Sequence, residues 1–284
     1  MPIQQYSLKE KNMAKIILNN NLLAKILVVV TYLAMVIVNA LANILPINGT
    51  TTGDVSNAYG NLFAPTALTF SIWGIIYFLL AAYTLYQFGL FQKDKGSARI
   101  ELFSKIGIYF TITSLANMLW IFSWHYDLVG VSVILMAILL FGLIKMADIL
   151  RKEQFSLKEE FFIRAPFSVY FGWIMVATIA NITTFLVSIG WKGFGISDQV
   201  WASVILIVGA IIGITRMLWD KNIFYGLVFI WAYIGILIKH TSSTGFAGQY
   251  TSIITIIIFC ILAFVISEVW IFLKGKGKLS PSKN

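Results

Sequence analysis

Residues 129–148 read VGVSVILMAILLFGLIKMAD, and no charge appears before Lys145. At 1.5 Å per residue, a helix of about 20 apolar residues crosses the roughly 30 Å hydrocarbon core of a bilayer. Working outward from this run, seven more of the same kind appear, giving eight in all: about 24–45, 67–90, 106–124, 129–148, 166–189, 199–217, 223–239 and 248–272. The segments between them hold nearly all the charge. Composition agrees, with 59% hydrophobic and 12% charged residues over 284 positions, against about 45–50% and about 25% in soluble domains. So little polar surface cannot cover a soluble globule of this size. Five prolines and a single cysteine, Cys260, exclude disorder, collagen and a disulfide scaffold. The fold class is an all-α integral membrane protein of about eight transmembrane helices, joined by short turns into an antiparallel bundle.

The net charge of +9 reads as topology. Lys9, Lys11, Lys15 and Lys25 precede the first span or open it. Lys93, Lys95, Arg99 and Lys105 lie between the second and third spans. Lys145, Arg151, Lys152, Lys158 and Arg164 lie around the fourth-to-fifth connection, Arg216 and Lys221 around the sixth-to-seventh, and Lys274, Lys276, Lys278 and Lys283 in the tail. With eight spans, 19 of the 21 basic residues share one side, and only Lys192 and Lys239 fall on the other. The positive-inside rule places both termini in the cytoplasm of a plasma-membrane protein. No basic face stands clear of the bilayer, so nucleic acid is not an expected partner; the lipid bilayer is. Ala40-Leu41-Ala42 imitates a signal-peptide cleavage site, but the run around it is long enough to span and its leading segment is long for a signal peptide.

Two connections stand out. The loop 46–66, PINGTTTGDVSNAYGNLFAPT, is long and poor in charge, and is expected to form a lid that includes Asn48, Asp54, Phe63 and Pro65. The segment 151–165 reads as a solvated amphipathic connector. Within the bilayer the informative residues are polar ones, whose hydrogen bonds must be met internally. Glu268 is the nearest approach to a charge inside a span, and is expected to sit at the interface or pair near the helix end with Lys274. Asn39 and Asn43 share a face of the first span, Trp73 and Tyr77 of the second, and Asn117, Trp120 and Trp124 of the third. Tyr170, Trp173, Ala177 and Asn181 form a stripe on the fifth. Two readings stand side by side: packing and interhelical hydrogen bonding, or a pocket for a flat, mostly apolar ligand.

Taken together, these residues resemble the TspO/MBR family, the tryptophan-rich sensory proteins related to the mitochondrial translocator protein. Phe63-Ala64-Pro65 through Trp73-Gly74-Ile75-Ile76-Tyr77 is similar to the family's Pro-rich start of the second helix followed by W-x-x-L-Y. Asn117–Trp120 matches N-x-x-W, and Tyr170, Trp173, Ala177, Thr178 and Asn181 match Y-x-x-W…A-T-x-x-N. Departures are a single proline at 65 where the family has a pair, a missing tryptophan before Trp73 with Phe70 out of register, Pro166 one turn early, and three further spans. The resemblance implies a cytoplasmic segment at 1–23, a five-helix TspO-like bundle at 24–190, a three-helix extension at 191–273 and a basic tail at 274–284. It also implies a ligand pocket of Trp73, Tyr77, Asn117, Trp120, Tyr170, Trp173, Ala177 and Asn181 beneath the lid. The expected ligand is small, hydrophobic and flat, a tetrapyrrole such as protoporphyrin IX or haem, with no required cofactor, and a homodimer is the candidate assembly.

Three classes of function follow. The first is a sensor or regulator that binds such a ligand. The alternative is a secondary transporter or channel for a small hydrophobic or amphipathic solute, using the extra helices. The third is an enzyme. It has the least support, because no metal-spaced cluster, Ser-His-Asp set or phosphate-binding glycine loop is present. Porphyrin turnover enters by family analogy only, with Trp73 and Trp173 as the residues to test. No catalytic or metal residue is assigned.

Overall fold

The computed structural model describes residues 3–90 and 97–276, with side chains from 22 to 90 and from 99 to 274. Lys9, Lys11, Lys15, Lys93, Lys95, Lys276, Lys278 and Lys283 therefore fall outside the described side chains. Among the described residues the regular structure is helix alone, with no strand, and eight helical segments are long and apolar enough to cross a membrane. They are built on α1 (Ile3–Ile44), α3 (Ile72–Tyr86, which a 3-10 turn at Ala67–Ser71 extends to a span of Ala67–Tyr86), α4 (Ser97–His125), α5 (Val129–Leu150), α7 (Ala165–Ser188), α8 (Asp198–Asp220), α9 (Ile223–Thr241) and α10 (Thr251–Lys276). A short lid helix α2 (Thr52–Ala58) lies in the loop after α1. A single turn α6 (Leu157–Glu159) and a π turn (Glu160–Arg164) lead into α7. This is a polytopic all-α membrane protein.

The spans sit where the apolar runs place them, but several helices outlast their runs. Helix α4 begins at Ser97, well before the apolar stretch at 106, because its first turns carry charge that is answered locally. Lys105 pairs with Glu101 at 2.6 Å, and Arg99 pairs with Glu153 and Glu159 at 3.2 and 2.8 Å. The 151–165 connector is thus held by Arg99, with Ser156 and Glu159 forming a capping box. The turn between α4 and α5 is very short because Asp127 takes a left-handed conformation (φ 62°), which lets Leu128 N–H bond back to the Ser123 carbonyl at 2.8 Å.

Helix α7 is the axis of the bundle. Every residue from 165 to 174 is buried, as expected of a helix that is apolar all round, and α7 packs against α3, α5, α8 and α9. Gly172 lets α9 approach closely: a Cβ there would lie 3.0 Å from both the Tyr225 carbonyl oxygen and Val228. Helices α8, α9 and α10 form a second packed set that meets the first five spans chiefly at α7. At the end of the bundle away from the lid, Arg216 bonds Asp148 on α5 and Asp220 at 2.8 and 2.6 Å, and Arg164 donates to the Asp220 carbonyl at 2.5 Å. This ion network ties α5, α7 and α8.

Glu268 does not pair with Lys274. Its Oε1 is buried without a partner against Gly226 and Met217, and the Lys274 ammonium sits over the Trp270 ring, 3.9 Å from its centroid. The α10 helix turns that carboxyl toward α9 rather than along its own axis.

Candidate functional site

The lid is a folded element. Asp54 and Thr51 make a reciprocal cap on α2: Asp54 N–H donates to the Thr51 hydroxyl, while Thr51 N–H and Oγ1–H donate to the Asp54 carboxylate at 3.0 and 2.6 Å. These bonds hold the carboxyl below the ordinary aspartate range. Asn48 (φ 55°) supplies the left-handed turn before α2 and donates to the His125 carbonyl at 2.9 Å. His125 is buried beneath it. Its Nδ1 faces the Ile47 carbonyl at 3.1 Å, which can only accept, so Nδ1 carries the proton and Nε2 accepts from the Thr52 hydroxyl at 3.1 Å. Tyr59 hydrogen-bonds Asp127 across the surface. Desolvation first and that bond second push the phenol up to about 12, so it stays protonated and donates.

A second set of ties comes from α9. Trp231 Nε1–H donates to the Thr69 carbonyl at 2.9 Å, and Thr66 N–H donates to the Gly235 carbonyl at 3.3 Å. His240 Nε2–H donates to the Leu62 carbonyl at 2.9 Å, and Lys239 donates to the Asn57 side-chain oxygen at 2.6 Å. Gly235 is required here because a Cβ would collide with the Thr69 side chain. The sequence contains no pattern that announces these contacts, since three of the four acceptors or donors on the lid side are backbone groups.

Beneath the lid an aromatic cavity lies among α3, α4 and α7. Trp73, Trp120, Trp173, Ala177, Asn181 and Pro65 line it, as do Phe70, Trp124, Ser56 and Thr184. Its free volume is about 30 Å³, room for about two waters by the usual measure. Trp73 meets Trp173 edge-on at 6.2 Å, Phe70 meets Trp173 edge-on at 5.7 Å, and Trp120 stacks on Trp124 at 5.5 Å. On the other side of Phe70 and Trp73 lies a larger chamber of about 260 Å³, bounded by Asn39 and Asn43 of α1, Thr52, Ala67, Ser71 and Tyr77. Phe70 and Trp73 form the partition between the two spaces.

Polar groups around these spaces divide into spent and unspent. Asn117 is fully buried, accepts from Asn39 at 2.7 Å and donates to the Tyr170 hydroxyl at 3.2 Å. Neither Asn117 nor Tyr170 lines the two spaces; together with Asn39 they bridge α1, α4 and α7. Asn181 lines the cavity but its amide is committed as well, accepting from Trp120 Nε1–H and donating to Ser132, both at 2.8 Å. By contrast, the Trp173 indole N–H and the Tyr77 hydroxyl are buried with no partner among the described residues. Of the residues the sequence singles out, Phe63 is buried in the lid and Asn48 and Asp54 shape it. Phe70, Ser56, Thr184, His125 and the α9 residues emerge only from the packing. Phe70 is the departure that the resemblance counts against this chain, yet its ring stands against Trp173.

The model of the family described as TSPO-like protein matches residues 25–270. The chain belongs to the TSPO-like family. The match runs through all eight spans of this TSPO-like protein, including α8, α9 and α10. No curated protein matches the chain, and no solved structure does.

Proposed function

We propose that this TSPO-like membrane protein binds a flat, hydrophobic ligand of the tetrapyrrole class under its lid and acts as a sensor or regulator. The observation that carries the reading is the buried Trp173 N–H, left without an acceptor among the described residues, on a side chain that lines a cavity together with Trp73, Trp120, Trp124 and Phe70. A buried donor without a partner costs about 1–3 kcal/mol, and a ligand oxygen or nitrogen would relieve it. Indole faces offer stacking surface to a macrocycle. A ligand that size needs about 300 Å³ or more, so binding requires Phe70 and Trp73 to swing and merge the cavity with the 260 Å³ chamber. The distribution of basic residues supports an orientation with both termini cytoplasmic, and the plasma membrane is the proposed location.

The binding reading is favoured over transport by the far half of the bundle. There Tyr83, Phe110 and Phe167 interlock with ring centroids 4.6–5.9 Å apart, beneath which lies the Arg216–Asp220 ion network. The test is a tryptophan-fluorescence titration of the purified protein with protoporphyrin IX, comparing wild type with Trp173→Phe. Saturable quenching is expected, with affinity reduced roughly five- to tenfold by Trp173→Phe, the value of one hydrogen bond. Quenching that never saturates, or that ignores the substitution, overturns the reading.

A further inference from the structure

The aromatic spaces described above contain no cation, but a cleft next to them does. It has a volume of about 590 Å³, lies between the lid and α9, and shares Ala67 with the 260 Å³ chamber. Its floor holds Lys239, half-buried near the end of α9. Among the described residues no carboxylate pairs with Lys239; its ammonium donates to the neutral Asn57 side-chain oxygen at 2.6 Å. The described arginines at 99, 151, 164 and 216 and Lys105 have carboxylate partners, whereas Lys239 belongs to the lysines that have none. The same cleft is lined by Ser242 and Thr244, whose hydroxyls are bonded to one another at 2.8 Å, and by Phe246. Burying part of an ammonium without a counter-charge is costly, and a mobile anion removes that cost.

We propose that Lys239, with the Ser242 and Thr244 hydroxyls, forms an anion-recognition subsite for the acidic head of an amphipathic ligand whose flat apolar body occupies the adjoining aromatic chamber. The ligand class is a hydrophobic carboxylic acid, the head lying at the lid edge and the body running past Ala67 toward Phe70 and Trp73. This rests on the pocket reading given above and adds to it the charge that the ligand must carry. Lys239 then has a double role. In the empty protein it holds the lid through Asn57, and in the loaded protein it exchanges that neutral acceptor for the ligand's carboxylate, so arrival of the head loosens one lid tie.

The test compares protoporphyrin IX, which carries two carboxylates, with its dimethyl ester, which presents the same macrocycle without charge. Both are titrated by tryptophan quenching against the full-length protein in phosphatidylcholine nanodiscs. Wild type is expected to prefer the free acid. Lys239→Gln is expected to weaken the acid about tenfold, between the values of exposed and buried charge pairs, and so to remove the preference for the acid over the ester, while saturable ester binding shows that the variant is folded. Lys239→Arg is expected to keep the preference for the acid. Equal binding of acid and ester by wild type, with no effect of Lys239→Gln on either, overturns the subsite and leaves the aromatic pocket standing. Absence of saturable binding by both compounds overturns the pocket and the subsite together. If replacing a quarter of the lipid with phosphatidylglycerol abolishes the preference for the acid, Lys239 is a lipid-headgroup contact and the proposal falls.

Discussion

Asn117 and Trp173 come from the same sequence motifs, yet packing gives them opposite tasks. The carboxamide of Asn117 is consumed between Asn39 and Tyr170, whereas the indole N–H of Trp173 is left over. We therefore expect Asn117→Ala to lower stability by about 1–3 kcal/mol, through lost membrane hydrogen bonds and an Asn39 amide deprived of one partner. Its affinity for protoporphyrin IX per folded molecule is expected to stay within about twofold, since a single bond to the ligand would count for more than that. Denaturant unfolding together with quenching titration checks both halves; a large loss of affinity at unchanged stability would return Asn117 to the ligand. Residue types and spacing were enough to pick out the stripe of Trp, Tyr and Asn. They could not separate the amide that joins helices from the indole that is spare, because that depends on which neighbour arrives at bonding distance.

Among the elements outside the spans, the lid helix is expected to respond to pH through its capping carboxylate. Asp54 caps α2 as a carboxylate, and the Thr51 bonds hold its folded pKa below the unfolded value of 3.8. A depressed pKa contributes stability that is fully present above the unfolded value and lost as pH falls through the folded one. Amide exchange over residues 52–58 is therefore expected to accelerate as the pH drops below 3.8, relative to exchange in α7. The Asp54→Asn variant is expected to exchange faster already at neutral pH and to show no further acid step; an unchanged acid profile in that variant would remove Asp54 from the lid. The length of loop 46–66 and its place were readable in the sequence, and so was the presence of Asp54. The α9 ties were not, since Trp231, Gly235, Lys239 and His240 reach backbone or amide groups more than 160 residues earlier through contacts that leave no local signature.

At the scale of the molecule, eight spans were legible because lipid requires every crossing segment to be long, apolar and helical. Division of those spans into units was not. The resemblance predicts that 1–190 inserts and folds alone. The packing leads us to expect otherwise: removing α8–α10 strips Gly172 of the close approach of α9, releases the lid ties at Asn57, Leu62 and Thr69, and leaves Asp148 without Arg216. We expect the 1–190 fragment to be degraded much faster than the full chain in a pulse-chase measurement, and to be rescued by co-expressed 191–284. A long-lived fragment that binds protoporphyrin IX would establish the five-helix part as an independent unit.

Gly172 and Trp173 are neighbours in the chain, one seating α9 and the other lining the aromatic cavity. The wall on that side is therefore a fixed jaw, because displacing it by even a methyl's width would drive α7 into the Tyr225 backbone. Helix α1 on the opposite side is far less enclosed, with 28% of its span window buried against 44% for the span that contains α7. Any gape wide enough for a macrocycle must come from the α1, lid and Phe70–Trp73 side. The molecule then behaves as a vice with one moving plate, and that plate is the less enclosed of the two.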